Sequence, residues 1–181
     1  MLFYKIASHV SPWEQRRLGE YAFFRRGSFP QPYGNPEWYG GKGAMPFIQV
    51  VDVNKDLSLV PETKQKISKV AQPKSVFVPK GTVVVTLQGS IGRVAVTPYD
   101  SYVDRTLLIF ENYLRKTDDH FWAYVIQNKF NIESRKAPGG IIKTITKKAL
   151  SDFQVKIPGY EEQKSIGELT SKVDKLITLH Q

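Results

Sequence analysis

The sequence predicts an α+β protein, in which a globular, strand-rich body of mixed α/β structure is followed by a long C-terminal helix. Short runs of β-branched and aromatic residues recur between glycine and proline breakers, as is typical of strands. The last stretch instead repeats apolar residues at intervals of three and four, which is the period of an amphipathic helix. We therefore expect a body over residues 1–157 and a helix over residues 158–181.

The composition indicates a polyanionic partner. The 181 residues carry a formal net charge of +9 and have a pI near 9.6, which favours nucleic acid first and an anionic membrane face second. Cysteine is absent from the sequence, which excludes disulfides and thiolate metal sites. The sequence shows neither a signal peptide nor an apolar run of about 18 residues, so we expect a cytoplasmic protein without a membrane partner.

Residues 1–10 are mildly apolar and have no clear partner in the sequence, and the first elements predicted after them are short. Residues Ser11–Glu20 suggest a turn of helix anchored by Trp13 and Leu18, and Tyr21–Phe24 suits a strand. Further on, Met45–Val53 predicts a strand followed by a turn. Residues Leu59–Val78 predict a helix-prone, lysine-bearing region, which is either a solvated face or a stripe that contacts a phosphate backbone.

A long irregular loop lies between these strands, from Arg25 to Gly43, because glycine and proline crowd the sequence there. Loops of this length are uncommon in compact domains unless they carry function. The alternative is that the aromatic residues, Trp38 in particular, only hold the loop against the body. The loop mixes basic, polar and aromatic side chains, and those expected to contact nucleic acid are Arg26, Ser28, Gln31, Tyr33 and Lys42.

A β-hairpin is predicted from two β-branched strands, Thr82–Leu87 and Val94–Val96. Two glycines in the connecting loop permit positive φ and close approach of another molecule, although glycines in such a loop often serve the turn alone. Glutamine and arginine can form bidentate contacts with adenine and guanine edges. The hairpin residues expected to read bases are Gln88, Ser90 and Arg93.

A further strand is predicted over Asp100–Phe110, and a helix over Asp118–Lys129. An aspartate at the start of that helix is a suitable cap, with Phe121, Tyr124 and Val125 on its inner face. The basic residues after it are expected to contact phosphates, and they are Arg135, Lys136 and Lys143.

The C-terminal stretch contains a half-buried strand and then the long helix. The strand is predicted from Phe153, Val155 and Ile157, which alternate with polar residues. The helix has carboxylates in its first turn, where the helix dipole favours them. Its apolar stripe follows heptad spacing, which is equally consistent with packing on the body and with a seam for a partner helix. The stripe comprises Ile166, Leu169, Val173, Leu176 and Ile177.

The usual signatures of catalysis are absent from the sequence. His9, His120 and His180 have no metal-ligand spacing, and there is no nucleophile elbow or phosphate-binding glycine loop. Residues Asn35–Trp38 faintly resemble the Asn-Pro-Pro-aromatic loop of amino-methyltransferases, but Glu37 replaces the second proline. We therefore expect no catalytic residue, metal or cofactor, and the chain is not expected to be an enzyme by itself.

Several short sequence segments, taken in their order and spacing, resemble the DNA specificity (S) subunit of type I restriction-modification systems. The resemblance is to one target recognition domain with its conserved spacer helix. The most specific segment is a proline, Pro158, followed by the helix start Glu161-Glu162-Gln163-Lys164. Phe29 departs from the family, which has threonine there. The segments are Trp13–Glu20, Gly27–Pro30 with Asn35–Trp38, Pro46–Asp52, Gly81–Val96 and Ile157–Ile166.

The resemblance implies that the body reads one half of a bipartite double-stranded DNA target. The helix would pair antiparallel with a counterpart and set the distance between half-sites. Methyl transfer from S-adenosylmethionine and ATP-driven cleavage would belong to separate modification and restriction subunits, which are the implied partners. Full S subunits carry two such domains, so this chain, with its apparently truncated helix, would be a half-subunit that forms a homodimer or a fragment.

Two other functions compete with this interpretation. A non-specific module for single-stranded DNA or RNA would have the same charge and exposed aromatic residues. A stand-alone methyltransferase or nuclease would need motifs that the sequence lacks.

Overall fold

The computed structural model describes residues 12–137, 139, 142 and 145–179. Within these residues no helix is both long and apolar enough to cross a membrane. The helices are α1 (Leu18–Tyr21), α2 (Asp119–Lys136), α3 (Lys147–Ser151) and α4 (Tyr160–Leu179). The strands are β1 (Glu14–Arg17), β2 (Ala22–Arg26), β3 (Met45–Ile48), β4 (Gln65–Ile67), β5 (Val76–Val78), β6 (Val83–Thr86), β7 (Val94–Val96), β8 (Ser101–Val103), β9 (Leu107–Tyr113) and β10 (Gln154–Ile157). The predicted α+β class and C-terminal helix are confirmed.

These strands form two four-stranded sheets and a two-stranded ribbon. The sheet with the order β2-β9-β6-β7 is called the helix-side sheet, and the sheet with the order β4-β3-β8-β5 is called the loop-side sheet. Neighbouring strands are antiparallel except β3 and β8, which are parallel. In the ribbon, β1 pairs with β10, and Glu14 lies opposite Ile157. The ribbon therefore joins the beginning of the described chain to the strand that precedes α4.

An apolar core lies between the two sheets. It contains Ile48 and Val103 from the loop-side sheet and Val84 from the helix-side sheet. The opposite face of the helix-side sheet packs on α2, where Val83 and Trp122 belong to the same cluster. Every residue of β6 is buried, because both faces of this sheet are covered. A strand covered on both faces has a continuous apolar sequence rather than an alternating one.

The long loop covers the outer face of the loop-side sheet. Phe29 and Trp38, each 7% exposed, form a cluster with Phe47 of β3. The indole N–H of Trp38 donates a hydrogen bond to the carbonyl oxygen of Pro32 at 3.1 Å. Trp38 therefore holds the loop against the body, as the alternative interpretation of this residue proposed. Tyr33, by contrast, remains 43% exposed.

Helix α2 begins at a side-chain cap. The carboxylate of Asp118 accepts a hydrogen bond from the backbone N–H of Phe121 at 2.8 Å, which confirms the expected aspartate cap. Phe121 is buried as predicted, but the prediction for Tyr124 is wrong, since this side chain is 46% exposed and Trp122 is fully buried. The helix also continues beyond the predicted end, to Lys136.

Three predicted elements differ from the structure. Residues 59–78, all of which the structure describes, contain no α-helix but the strands β4 and β5. These strands pair with β3 and β8, and tertiary pairing outweighs local helix propensity. The single strand expected over Asp100–Phe110 is instead β8 and β9, which belong to different sheets. Of the helical turn expected over Ser11–Glu20, Ser11 lies outside the described residues, Glu14–Arg17 form β1, and α1 begins only at Leu18.

Candidate nucleic-acid interface

Four connecting segments converge where the two sheets meet. They are residues 28–33, 49–52, 87–90 and 104–106, and we call them together the tip. Backbone hydrogen bonds join them: Ser28 N–H donates to Val103 at 3.0 Å, Asp104 N–H donates to Ile48 at 3.0 Å, and Leu87 N–H donates to Thr106 at 2.8 Å. Residues distant in sequence are therefore held side by side by main-chain contacts.

Asp104 lies at the centre of the tip and is completely buried. One of its carboxylate oxygens accepts hydrogen bonds from the N–H and the hydroxyl of Thr106, at 2.8 and 2.7 Å. The other accepts a hydrogen bond from the hydroxyl of Tyr33 at 2.6 Å. These three donors satisfy a carboxylate that would otherwise destabilise the protein in this buried position.

Tyr33 connects this carboxylate to a second segment of the tip. Its hydroxyl oxygen accepts a hydrogen bond from the side-chain amide of Gln49 at 3.1 Å. Burial, with a further contribution from Asp104, raises the pKa of Tyr33 from 10.0 to about 12. The phenol therefore remains protonated at neutral pH and continues to donate to Asp104.

Arg105 is the exposed residue of the turn that follows Asp104. Its guanidinium lies over the ring of Tyr33, 5.3 Å from the ring centroid, within the range of a cation–π contact. The sequence analysis did not single out Asp104, Arg105 or Gln49. The sequence feature that could have identified this turn is Asp104-Arg105-Thr106. An aspartate two residues before a threonine favours a local turn rather than a continuous strand.

The hairpin between β6 and β7 contributes one side of the tip. Gln88 is exposed and Ser90 is half-buried. Gly89 has a φ of +62°, and a Cβ there would lie 3.7 Å from Val50, which places the hairpin against the 49–52 segment. Arg93 points elsewhere: its half-buried guanidinium donates a hydrogen bond to the carbonyl oxygen of Val53 at 3.4 Å.

Three of the loop residues expected to read bases, Ser28, Gln31 and Tyr33, lie in the tip, whereas Lys42, expected to contact a phosphate, precedes the far end of β3. Ser28 is half-buried, and its hydroxyl donates to the carbonyl oxygen of Lys74 at 3.3 Å. Gln31 is exposed, and its side-chain oxygen accepts a hydrogen bond from the backbone N–H of Tyr33 at 3.2 Å. Arg26 is exposed at the end of β2, and Lys42 is exposed in the glycine-rich part of the loop.

The expected phosphate contacts on α2 lie on the other side of the helix-side sheet. Arg135 and Lys136 are both exposed in its last turn. The ammonium of Lys136 lies 3.1 Å from the carboxylate of Glu133, which also pairs with Lys129 at 2.8 Å. Hydrogen bonds from Lys129 and Lys136 lower the pKa of Glu133. Lys143 lies outside the described residues.

Helix α4 packs on the body through a polar and small face. Gln163 and Gly167 are buried, whereas Leu169 is 63% and Val173 45% exposed. Ile166 is half-buried, and Leu176 and Ile177 are 57% and 52% exposed. The apolar stripe therefore faces mainly away from the body, because Gln163 and Gly167 occupy the contact with α2.

The described part of the chain contains no group of three or more histidine, aspartate or glutamate side chains that could hold a metal ion. The chemical capacity of the tip is hydrogen bonding and stacking. It offers the exposed side chains of Arg105 and Gln88 beside the partly exposed ring of Tyr33, and guanidinium and amide groups read base edges in a groove.

Comparison with known proteins places these features in a family. Residues 10–181 match the type I restriction modification DNA specificity domain. A relative from Methanocaldococcus jannaschii, named as a putative type I restriction enzyme MjaX specificity subunit, is 29% identical over 98 residues. That alignment covers 54% of this chain and 23% of the relative.

Solved structures have the same fold. A chain from a study of complex assembly and conformational transition in the type I R-M system superposes with a TM-score of 0.70 at 20% identity. The HsdS subunit from Thermoanaerobacter tengcongensis superposes with a TM-score of 0.65 at 21% identity. Each match covers 98% of this chain, but only 42% and 41% of the respective structures. This chain therefore spans less than half the length of these relatives, and by its family match it belongs to the type I restriction modification DNA specificity domains.

Proposed function

We propose that this chain recognises one half of a bipartite double-stranded DNA sequence and carries no catalytic step itself. The observation that supports this most directly is the tip, where segments from both sheets present Arg105, Gln88 and Tyr33 together. Arginine and glutamine side chains discriminate base edges in the major groove, and the ring of Tyr33 supports the guanidinium. The net charge of +9 supplies the sequence-independent attraction to phosphates on which such recognition depends.

We further propose that the partners of the chain are the modification and restriction subunits of a type I assembly. The family to which the chain belongs and the names of its relatives support this. In such an assembly the chain selects the DNA, whereas methyl transfer and cleavage take place on the partner subunits.

The exposed stripe on α4 supports a third part of the proposal, a second copy of the chain paired through this helix. Two antiparallel copies related by a twofold axis would present their tips to two half-sites at a separation fixed by the helices. The 20 residues of α4 correspond to a length of about 30 Å, which suits a rigid spacer.

The function is tested by combining the purified chain with type I modification subunits and S-adenosylmethionine on a DNA library. We expect methylated adenines to fall within one recurring sequence, and duplex DNA to compete better than single-stranded DNA or RNA of the same sequence. Methylation without sequence preference, or stronger competition by single strands, would contradict the proposal. The second result would instead favour a general single-strand-binding module.

A further inference from the structure

We propose that Arg105 is the side chain at the tip that reads a guanine, and that the buried carboxylate of Asp104 is the positioning residue that holds it in place. The inference rests on the proposed function and assigns the base contact to a residue other than Arg93, the arginine that the hairpin sequence favours.

The first step of the argument is the rigidity of the platform beneath Arg105. Asp104 is fully buried, and its two oxygens accept hydrogen bonds from Thr106 and Tyr33. The amide of Gln49 holds the same tyrosine hydroxyl from the other side at 3.1 Å. The hydroxyl of Tyr33 is thus held by two polar contacts from different segments, and these fix the position of the side chain.

The second step is the placement of the guanidinium on this ring. The guanidinium of Arg105 lies over the ring, 5.3 Å from its centroid, and a cation–π contact does not pair the N–H donors with an acceptor oxygen. Among the described residues, the guanidinium of Arg105 forms no hydrogen bond or ion pair with a protein oxygen. A planar fork of free donors matches the O6 and N7 acceptors of guanine in the major groove.

The third step is the comparison with Arg93. This guanidinium is half-buried and donates to the carbonyl oxygen of Val53 at 3.4 Å. It would have to leave that contact in order to reach DNA. Arg105 is exposed at the turn between the two sheets, and it needs no rearrangement to enter a groove.

The experiment selects bound sequences from a duplex library with a randomised core, using the full chain and its variants, and compares the enriched motifs. Arg105→Lys keeps the positive charge but loses the bidentate fork. We expect the preference for guanine at one position to fall by about 5- to 150-fold, with the other positions unchanged. Asp104→Asn and Tyr33→Phe should weaken the same position, because each removes a contact that orients the platform. The matched control is Arg115→Lys, since Arg115 is exposed and pairs with Glu14, outside the tip.

The outcomes separate this inference from the function on which it rests. If the wild-type chain enriches no motif, the proposed function is overturned. If it enriches a motif that Arg105→Lys leaves intact at every position, the function stands and the assignment of Arg105 is wrong. Equal weakening at all positions would likewise overturn the assignment. Because Asp104→Asn can also affect folding, Tyr33→Phe provides the second test of the platform: an unchanged guanine preference in that variant would overturn the positioning role.

Discussion

The buried side-chain amide of Gln163 binds the backbone of Asp118 where α4 meets α2. Its oxygen accepts a hydrogen bond from the N–H of Asp118 at 3.1 Å, and its nitrogen donates to the carbonyl oxygen of Pro158 at 3.0 Å. Asp118 is also the residue whose carboxylate caps α2. One side chain therefore joins the base of the terminal helix to the first turn of the helix that lies on the sheet.

Replacement of Gln163 by alanine should destabilise the fold. It leaves the N–H of Asp118 and the carbonyl of Pro158 without these partners, and an unsatisfied buried polar group costs about 1–3 kcal/mol. We expect the free energy of unfolding, measured by urea denaturation, to fall by at least that amount. Gln154→Ala is the control, because Gln154 is exposed on β10 and should change stability little. Similar losses in the two variants would contradict a special role for Gln163.

Gly167 should not tolerate a side chain. A Cβ at this position would overlap the carboxylate of Asp118, so Gly167→Ala should displace the cap of α2 and lower the melting temperature. Elsewhere in a helix the same change would stabilise by about 1 kcal/mol, which makes the sign of the effect diagnostic. Glu168→Ala at the exposed neighbouring position provides the control. A stabilised Gly167→Ala protein would show that α4 lies further from α2.

Stability should depend on pH through Asp119. Burial, and then the neighbouring Asp118 carboxylate, raises the pKa of Asp119 from 3.8 to about 6. The folded chain therefore binds more protons than the unfolded chain between these two pH values. Because the pKa is raised on folding, the contribution of this group to stability falls as pH rises through that window.

The variant Asp119→Asn tests this expectation, since it removes the titration. The pKa difference alone would correspond to about 3 kcal/mol. Asp119 keeps some solvent contact, and its carboxylate is favourable in the first turn of α2. Both effects reduce the expected increase in the free energy of unfolding of the variant to about 1 kcal/mol at pH 8. Urea denaturation across pH should show this gain above pH 6 and its disappearance below about pH 4. A loss of stability in the variant at pH 8 would contradict the prediction.

The exposed stripe on α4 should control self-association. Leu169 is 63% exposed, so Leu169→Lys should leave the melting temperature of the body nearly unchanged. If the helix pairs with a second copy, the charge would be buried in an apolar seam at a cost of about 2 kcal/mol or more. Sedimentation equilibrium should then show a dissociation constant raised by at least about tenfold. Glu168→Lys, adjacent but off the stripe, should have a much smaller effect, and a wild-type chain that is monomeric at all concentrations would refute the pairing.

Arg135 should contribute affinity without specificity. If it contacts a phosphate, Arg135→Ala should weaken target and scrambled duplexes equally and reduce the slope of log affinity against log salt by about 0.9. Lys136→Ala should have a smaller effect, because Lys136 already pairs with Glu133 at 3.1 Å. Titrations over a range of salt concentrations measure both slopes. A change in the ratio of target to scrambled binding would instead indicate a base contact.

Short-range sequence patterns correctly predicted the elements that depend on neighbouring residues alone. The hairpin β6–β7 follows from two β-branched runs around glycines, and α4 follows from its apolar period and acidic first turn. The region 59–78 was predicted less well, because its strands form only through pairing with β3 and β8. Short strands of three residues carry little signal of their own when their partners are distant in the chain.

The centre of the tip was not predictable for a related reason. The hydrogen bond between Tyr33 and Asp104 joins residues 71 positions apart, and no periodicity reports such a contact. Tyr33 was expected to contact nucleic acid because it stands in a loop rich in basic and aromatic residues. Arg105 was missed because it lies within a stretch that was interpreted as one continuous strand.

The main-chain hydrogen bonds that hold the tip affect how the amino-acid sequence of the tip can evolve. Ser28, Leu87 and Asp104 join neighbouring segments through backbone N–H groups, so these links do not depend on the side chains of Arg105 or Gln88. Mutation can therefore replace the outward-facing residues one by one while the scaffold keeps its shape. Under the proposed function, new target sequences would become accessible through single substitutions, and the separation between half-sites would evolve independently through the length of the terminal helix.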